Sequence, residues 1–311
     1  MEAFGSSIAT FPMLKTLILR GYPPLDPSQS PAWKILRSMP RLHRLEILYR
    51  LRVKGANAHR YILMANDASP APGEVFLFPS QLEMLTIANP SLNDHVFQRL
   101  PLSLKYLFLD FVPDWENMLS SKDSLAYHRP AVMKAFLSMM YKCHDPSGVT
   151  NIEELHIKMG WCATPSILNC ISLLFPNLKF LELQGLRYVD RGTEPASNLE
   201  SCALGLARLR GLRTLMLAME LQEDPYEYTI VGGPRNVGSI NQSAQVWADT
   251  LALQLPTLQS LALETRPHTG RGLGPRMIIG RPSWTWFSRR KIDPSPNVMN
   301  RVDVSDGGPT G

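Results

Sequence analysis

Histidine, cysteine and glycine are the residues from which a catalytic or metal site would be built, and their spacing in this 311-residue chain builds none. The seven histidines, His43, His59, His95, His128, His144, His156 and His268, are scattered. No two have the i, i+4 spacing that puts a pair of imidazoles on one helical face for zinc. Cys143, Cys162, Cys170 and Cys202 lie 19, 8 and 32 residues apart, without the close pairs of zinc or dithiol sites, and are expected to be buried reduced thiols. Gly270-Arg271-Gly272-Leu273-Gly274 lacks the Lys-Ser/Thr of a phosphate loop, Gly232-Gly233-Pro234 is a turn, and there is no Gly-x-Ser-x-Gly elbow. Asn241-Gln242-Ser243 fits a glycosylation acceptor but reads more simply as the cap before a helix. The expectation is a non-enzymatic protein with no catalytic residue, no cofactor and no metal.

One segment has the residue types for a different chemistry. Arg266, Arg271, Arg276, Arg281, Arg289, Arg290 and Lys291 are interleaved with Trp284, Trp286 and Phe287, and Glu264 is the only acid from there to Lys291. Guanidinium groups contact phosphates and aromatic rings stack on bases, so a nucleic acid is one expected partner of this segment. A nuclear import signal, a disordered tail or a terminal cap are the other readings of residues 266–311.

The elements that would position any site are spelled by leucine. Of 45 leucines, 44 precede residue 264. They fall into a recurring phrase, apolar-Pro-x-Leu-x-x-Leu-x-apolar. Its copies carry Leu14, Leu17 and Leu19; Leu42, Leu45 and Ile47; Leu82, Leu85 and Ile87; Leu104, Leu107 and Leu109. Four more carry Ile152, Leu155 and Ile157; Leu178, Leu181 and Leu183; Leu212, Leu215 and Leu217; Leu258, Leu261 and Leu263. The last two apolar positions are two residues apart and so share one face of a short strand. A strand this short is stable only when stacked beside its neighbours, and the Pro ahead of it stops a preceding helix.

Between phrases the period changes to that of a helix. Thr164-Pro165 and Ser30-Pro31 pair a capping hydroxyl with Pro at the first helical position, and Ile167, Leu168, Ile171 and Leu174 form one stripe. Further helices are expected over Ser91–Leu100, Pro130–Cys143, Asn198–Leu209 and Gln242–Leu255.

The pattern resembles that of leucine-rich-repeat proteins, in particular the irregular repeats of fungal F-box/leucine-rich-repeat proteins; Phe-Pro-Asn-Leu-Lys-Phe-Leu-Glu-Leu at 175–183 is nearest to their wording. Successive first leucines are 28, 40, 22, 48, 26, 34 and 46 residues apart; 34 is slightly longer than a regular repeat of about 20–29 residues, and the three longest intervals hold insertions or a degenerate extra repeat. The resemblance implies an α/β fold, a curved solenoid with parallel strands on the concave face and irregular helices on the convex face. It gives a stub at 1–10, a repeat domain at 11–265 and the basic Gly/Pro-rich segment at 266–311. It also implies the substrate-recognition half of a cullin-type ubiquitin ligase subunit. An F-box would precede the repeats, where this chain has ten residues, so a ligase adaptor is an expected partner only if an F-box lies upstream.

Solenoids work by binding, and the residues alternating with the leucines line the binding surface. On the middle strands these are Tyr106, Phe108, Asp110, Glu154, His156, Lys158, Phe180 and Glu182. Aromatic rings among a few charges have the composition of a protein-binding hot spot, provided the insertion before Ile152 does not fold over them. Composition agrees with a globular chain: 44% hydrophobic, 19% charged, net charge +5. No apolar run reaches the roughly 18 residues of a membrane span, and the start lacks a secretory pattern. A cytoplasmic or nuclear location and no membrane contact are expected.

Overall fold

The computed structural model describes residues 11–22, 36, 38–50, 52–54, 57–59, 78–91, 94, 96–97, 100–111, 137, 151–159, 163–185, 199–218, 237–265, 283–289 and 300–302. Its strands are β1 (Thr16–Gly21), β2 (Arg44–Tyr49), β3 (Arg52–Lys54), β4 (Asn57–His59), β5 (Met84–Ala88), β6 (Tyr106–Asp110), β7 (Glu154–Met159), β8 (Phe180–Gly185), β9 (Thr214–Ala218), β10 (Ser260–Thr265), β11 (Ser283–Ser288) and β12 (Asn300–Val302). All but β3 and β4 form one open sheet, ordered β1-β2-β5-β6-β7-β8-β9-β10-β11-β12. The eight strands of the leucine phrases pair in parallel, each with the next in sequence, so the protein is a mixed α/β structure built on a mostly parallel sheet.

Register follows from the phrase. Leu17, Leu45, Leu85, Leu107, Leu155, Leu181, Leu215 and Leu261 lie directly opposite one another across the sheet. Leu19, Ile47, Ile87, Leu109, Ile157, Leu183, Leu217 and Leu263 form a second such row. A slip of one residue would turn every one of these side chains to the other face, which is why the pairing is fixed. Away from the edge strand β1 both rows are buried. The turns add side-chain latches: Ser103 Oγ donates to Leu82 O at 2.7 Å, Asn151 Nδ2 to Leu102 O at 3.0 Å and Thr257 Oγ1 to Leu212 O at 2.9 Å.

Among the described residues three helices are seen along their length and complete the core: α1 (Pro165–Leu174), α2 (Leu199–Leu206) and α3 (Val237–Gln254). Thr164 caps α1 by accepting from Ile167 N, Pro165 begins the helix, and Ile167, Leu168, Ile171 and Leu174 are buried against the leucine rows. Gly205 brings α2 close to α1, since a Cβ there would stand 3.1 Å from Pro165 O and 3.2 Å from Asn169 N. The helix expected from Gln242 starts instead at Val237, so Asn241 lies inside α3 and is not its cap. Its first two turns, Val237 to Ser243, hold Gly, Ser, Asn and Gln around two apolar residues, so the sequence there has no apolar stripe for periodicity to detect. In the stretch expected as a helix over Ser91–Leu100, Val96 and Phe97 form a 3₁₀ turn. Asp94 Oδ1 accepts from Val96 N at 3.0 Å, a local bond that competes with helix propagation. Leu36 and Leu137 are helical and buried; the rest of those two expected helices lies outside the described residues.

The long intervals insert no extra strand into the sheet, because β2 pairs directly with β5, β6 with β7 and β9 with β10. The first holds the hairpin β3–β4, a separate two-stranded sheet, and the last holds α3. The sheet also continues past residue 265. β11 pairs antiparallel with β10, and β12 antiparallel with β11. Phe287 stands opposite Leu261 and is buried, so it closes the core at that end.

Candidate partner-binding face

Residues alternating with the leucines project from the opposite face of the sheet. At its centre three rungs cross β6, β7 and β8: Tyr106–Glu154–Phe180, Phe108–His156–Glu182 and Asp110–Lys158–Gln184. The eight residues singled out from the sequence thus form one contiguous patch, and all are half-buried. Gln184 joins them from the third rung.

His156 is the hub. Its ring stacks on Phe180 with centroids 4.8 Å apart and an interplanar angle of 29°, and lies 5.5 Å from the Phe108 centroid on its other side. Nδ1 donates to Glu182 Oε2 at 2.6 Å, and Nε2 is 3.9 Å from Glu154 Oε2. With a carboxylate toward each ring nitrogen, the imidazole is fixed in orientation between two phenyl rings. Lys158 Nζ lies 5.3 Å from the Phe108 centroid, a cation–π contact, and 4.0 Å from Asp110 Oδ2.

Burial raises the proton affinity of the Glu182 carboxyl, but the hydrogen bond and charge of His156, the bond from Gln184 Nε2 and the charge of Lys158 together outweigh it. Glu182 is therefore held below the ordinary carboxylate range and stays ionised. The patch is a set of packed rings whose charges are largely paired within it. It combines half-buried aromatic area with polar groups held in place. The insertion between β6 and β7 lies outside the described residues, Leu137 apart.

The same face runs on to the carboxy-terminal strands. Trp286 stands opposite Ala262, in the same rung as Phe108, His156, Glu182 and Met216, and Trp284 stands opposite Glu264. Sequence reading placed both tryptophans in a basic tail and missed this, although Ser283-Trp284-Thr285-Trp286 alternates like a strand. Two members of that basic aromatic set are committed to the fold. Phe287 is buried, and Arg289 donates to Ala252 O at 2.8 Å and Pro256 O at 2.5 Å, closing the carboxy-terminal end of α3. Arg266, Arg271, Arg276, Arg281, Arg290 and Lys291 lie outside the described residues.

Cys170 is half-buried and Cys202 buried, both as free thiols; Cys143 and Cys162 lie outside the described residues. Among the described residues no cluster of His, Cys, Asp and Glu is arranged to hold a metal, and no helix is long and apolar enough to cross a membrane. No protein-family model matches the chain, and no curated protein matches it.

Proposed function

We propose that this chain is a leucine-rich-repeat solenoid that captures a protein partner on its concave face, in the manner of the substrate-recognition part of an F-box ligase subunit. A ligase adaptor enters this reading only where an F-box lies upstream. The observation that carries it is the packed ring trio of Phe108, His156 and Phe180, on three adjacent strands with Glu182 and Lys158 around it. Rings immobilised before binding lose little entropy on contact, which is how hot-spot aromatics contribute.

The test places a photo-crosslinking amino acid at Thr86, on the same rung as Phe108, and in a second protein at Leu253, exposed on α3. Capture of one client from Thr86 and not from Leu253 is expected, with loss of that client when Tyr106, Phe108 and Phe180 are all replaced by Ala. Client capture that survives the triple replacement in a folded protein defeats the reading.

A further inference from the structure

We infer that the edge of the sheet at which the parallel strands begin carries a second site, a groove that takes an acidic stretch of polypeptide, with Arg210 and Arg213 receiving its carboxylates. The residue after the first leucine of each phrase stands just ahead of its strand, and the backbone ties these residues into a file. Lys105 N donates to Glu83 O at 2.9 Å, and Glu153 N to Lys105 O, Lys179 N to Glu153 O, Arg213 N to Lys179 O and Gln259 N to Arg213 O each at 2.8 Å. Strands stand about 4.8 Å apart, so the side chains of the file are within reach of their neighbours.

Charge alternates along the file and then fails to. Glu83 accepts from Lys105 at 3.0 Å and Glu153 pairs with Lys179 at 2.8 Å. The Glu83 carboxylate holds the Lys105 ammonium above its ordinary proton affinity, which marks that pair as spent. Next comes Arg213, and the position that would carry its acid is Gln259. The file is one carboxylate short. Arg210, from the same turn, adds a second guanidinium, and neither arginine has an ion-pair partner among the described residues.

Glu83, Lys105, Glu153, Lys179, Arg210 and Arg213 line a groove of about 920 Å³, and Gln259 stands next in the file beyond it. Gly211 lines the groove between the two arginines. A nucleic-acid strand laid along the groove would bring its phosphates against Glu83 and Glu153 as well as the arginines. A polypeptide can place its acids at the arginine end alone, and donor forks of this kind bind carboxylates in two-pronged fashion. The site is remote in kind from the aromatic face and does not depend on it.

Fluorescence anisotropy of the full chain with a fluorescein-labelled hexaglutamate peptide, at about 50 mM salt where charge attraction reaches beyond contact distance, provides the test. Arg210→Gln with Arg213→Gln should weaken binding at least tenfold. Gln259→Glu should weaken it about fivefold, because it supplies the missing carboxylate in place and competes with the peptide. Lys15→Gln, in the same file but outside the groove, and the Tyr106, Phe108, Phe180 triple replacement should both bind as the parent does, and the melting temperature should hold throughout. Unchanged binding in the double variant, loss of binding in the triple variant, or displacement of the peptide by hexathymidylate at equal concentration would each overturn the assignment.

Discussion

Leu181→Ala measures whether the leucine row is one continuous core. Leu181 is fully buried, with Leu155 on one side and Leu215 on the other. The substitution removes three carbon atoms, a transfer loss of about 2.4 kcal/mol at about 0.8 kcal/mol per methylene. The space left behind cannot close, because β8 is hydrogen-bonded to strands on both sides and those strands are themselves paired. The cavity cost therefore adds in full and the total reaches about 4 kcal/mol, in the upper half of the usual range for this change. Leu17 occupies the same row but is half-exposed on the edge strand β1, with Leu45 as its sole row neighbour. Its replacement by Ala should cost only about 1.5 kcal/mol, since most of its removed surface was already near water. Urea unfolding followed by circular dichroism reads both. With a slope of about 3 kcal/mol per molar, the midpoint should fall by roughly 1.3 M for Leu181→Ala and 0.5 M for Leu17→Ala. Equal losses at the two sites, or a loss below about 1.5 kcal/mol at Leu181, would refute a shared core graded from edge to centre.

Three further outcomes follow from the carboxy-terminal strands and the acid at the patch centre. Phe287→Ala should lower stability by about 3 kcal/mol and the melting temperature by roughly 6 °C; removal of residues 266–311 takes away β11, β12 and the Arg289 cap and should cost at least as much in a thermal melt, whereas an unchanged melt would mean that β11 is not part of the core. Glu182 has a folded-state proton affinity below its unfolded one, so the unfolded chain binds more protons and its contribution is present above the ordinary carboxylate range, about 4.3, and lost as pH falls through the folded value. The stability gap between the parent and Glu182→Gln should accordingly be full at neutral pH and shrink across that acid window in denaturant titrations; a gap constant down to pH 3 would contradict the ion pairing with His156.

What was legible in the sequence was whatever the leucine phrase controls. The alternation around Leu107, Leu155 and Leu181 sets strand, register and facing at once, so the sequence alone places Tyr106, Phe108, Asp110, Glu154, His156, Lys158, Phe180 and Glu182 on one surface. Thr164-Pro165 was equally readable because cap and first-turn Pro act locally. Signals failed where a boundary lacked an apolar stripe, as at Val237, or where a strand used other residues. β11 packs Phe287 where its neighbours use leucine, and leucine counting stopped short of it. The edge groove was readable in principle, from the residue after each first leucine, but alternation draws the eye to the strand itself. Pairing between files of charged turn residues becomes visible only once the strands are known to be adjacent.

The latches from Ser103, Asn151 and Thr257 each bind a turn to the one before it, and every leucine-phrase strand starts two residues after its first leucine. Spacing is thus metered at the edge where strands begin, while the edge where they end is left to carry the differences in length, among them the hairpin after Tyr49 and the long excursions after Asp110 and Ala218. Such a chain behaves like a ruler with fixed divisions and removable tabs. Residues can be gained or lost behind a strand without moving any rung of the face in front of it, so insertions of different length leave the ruler unchanged.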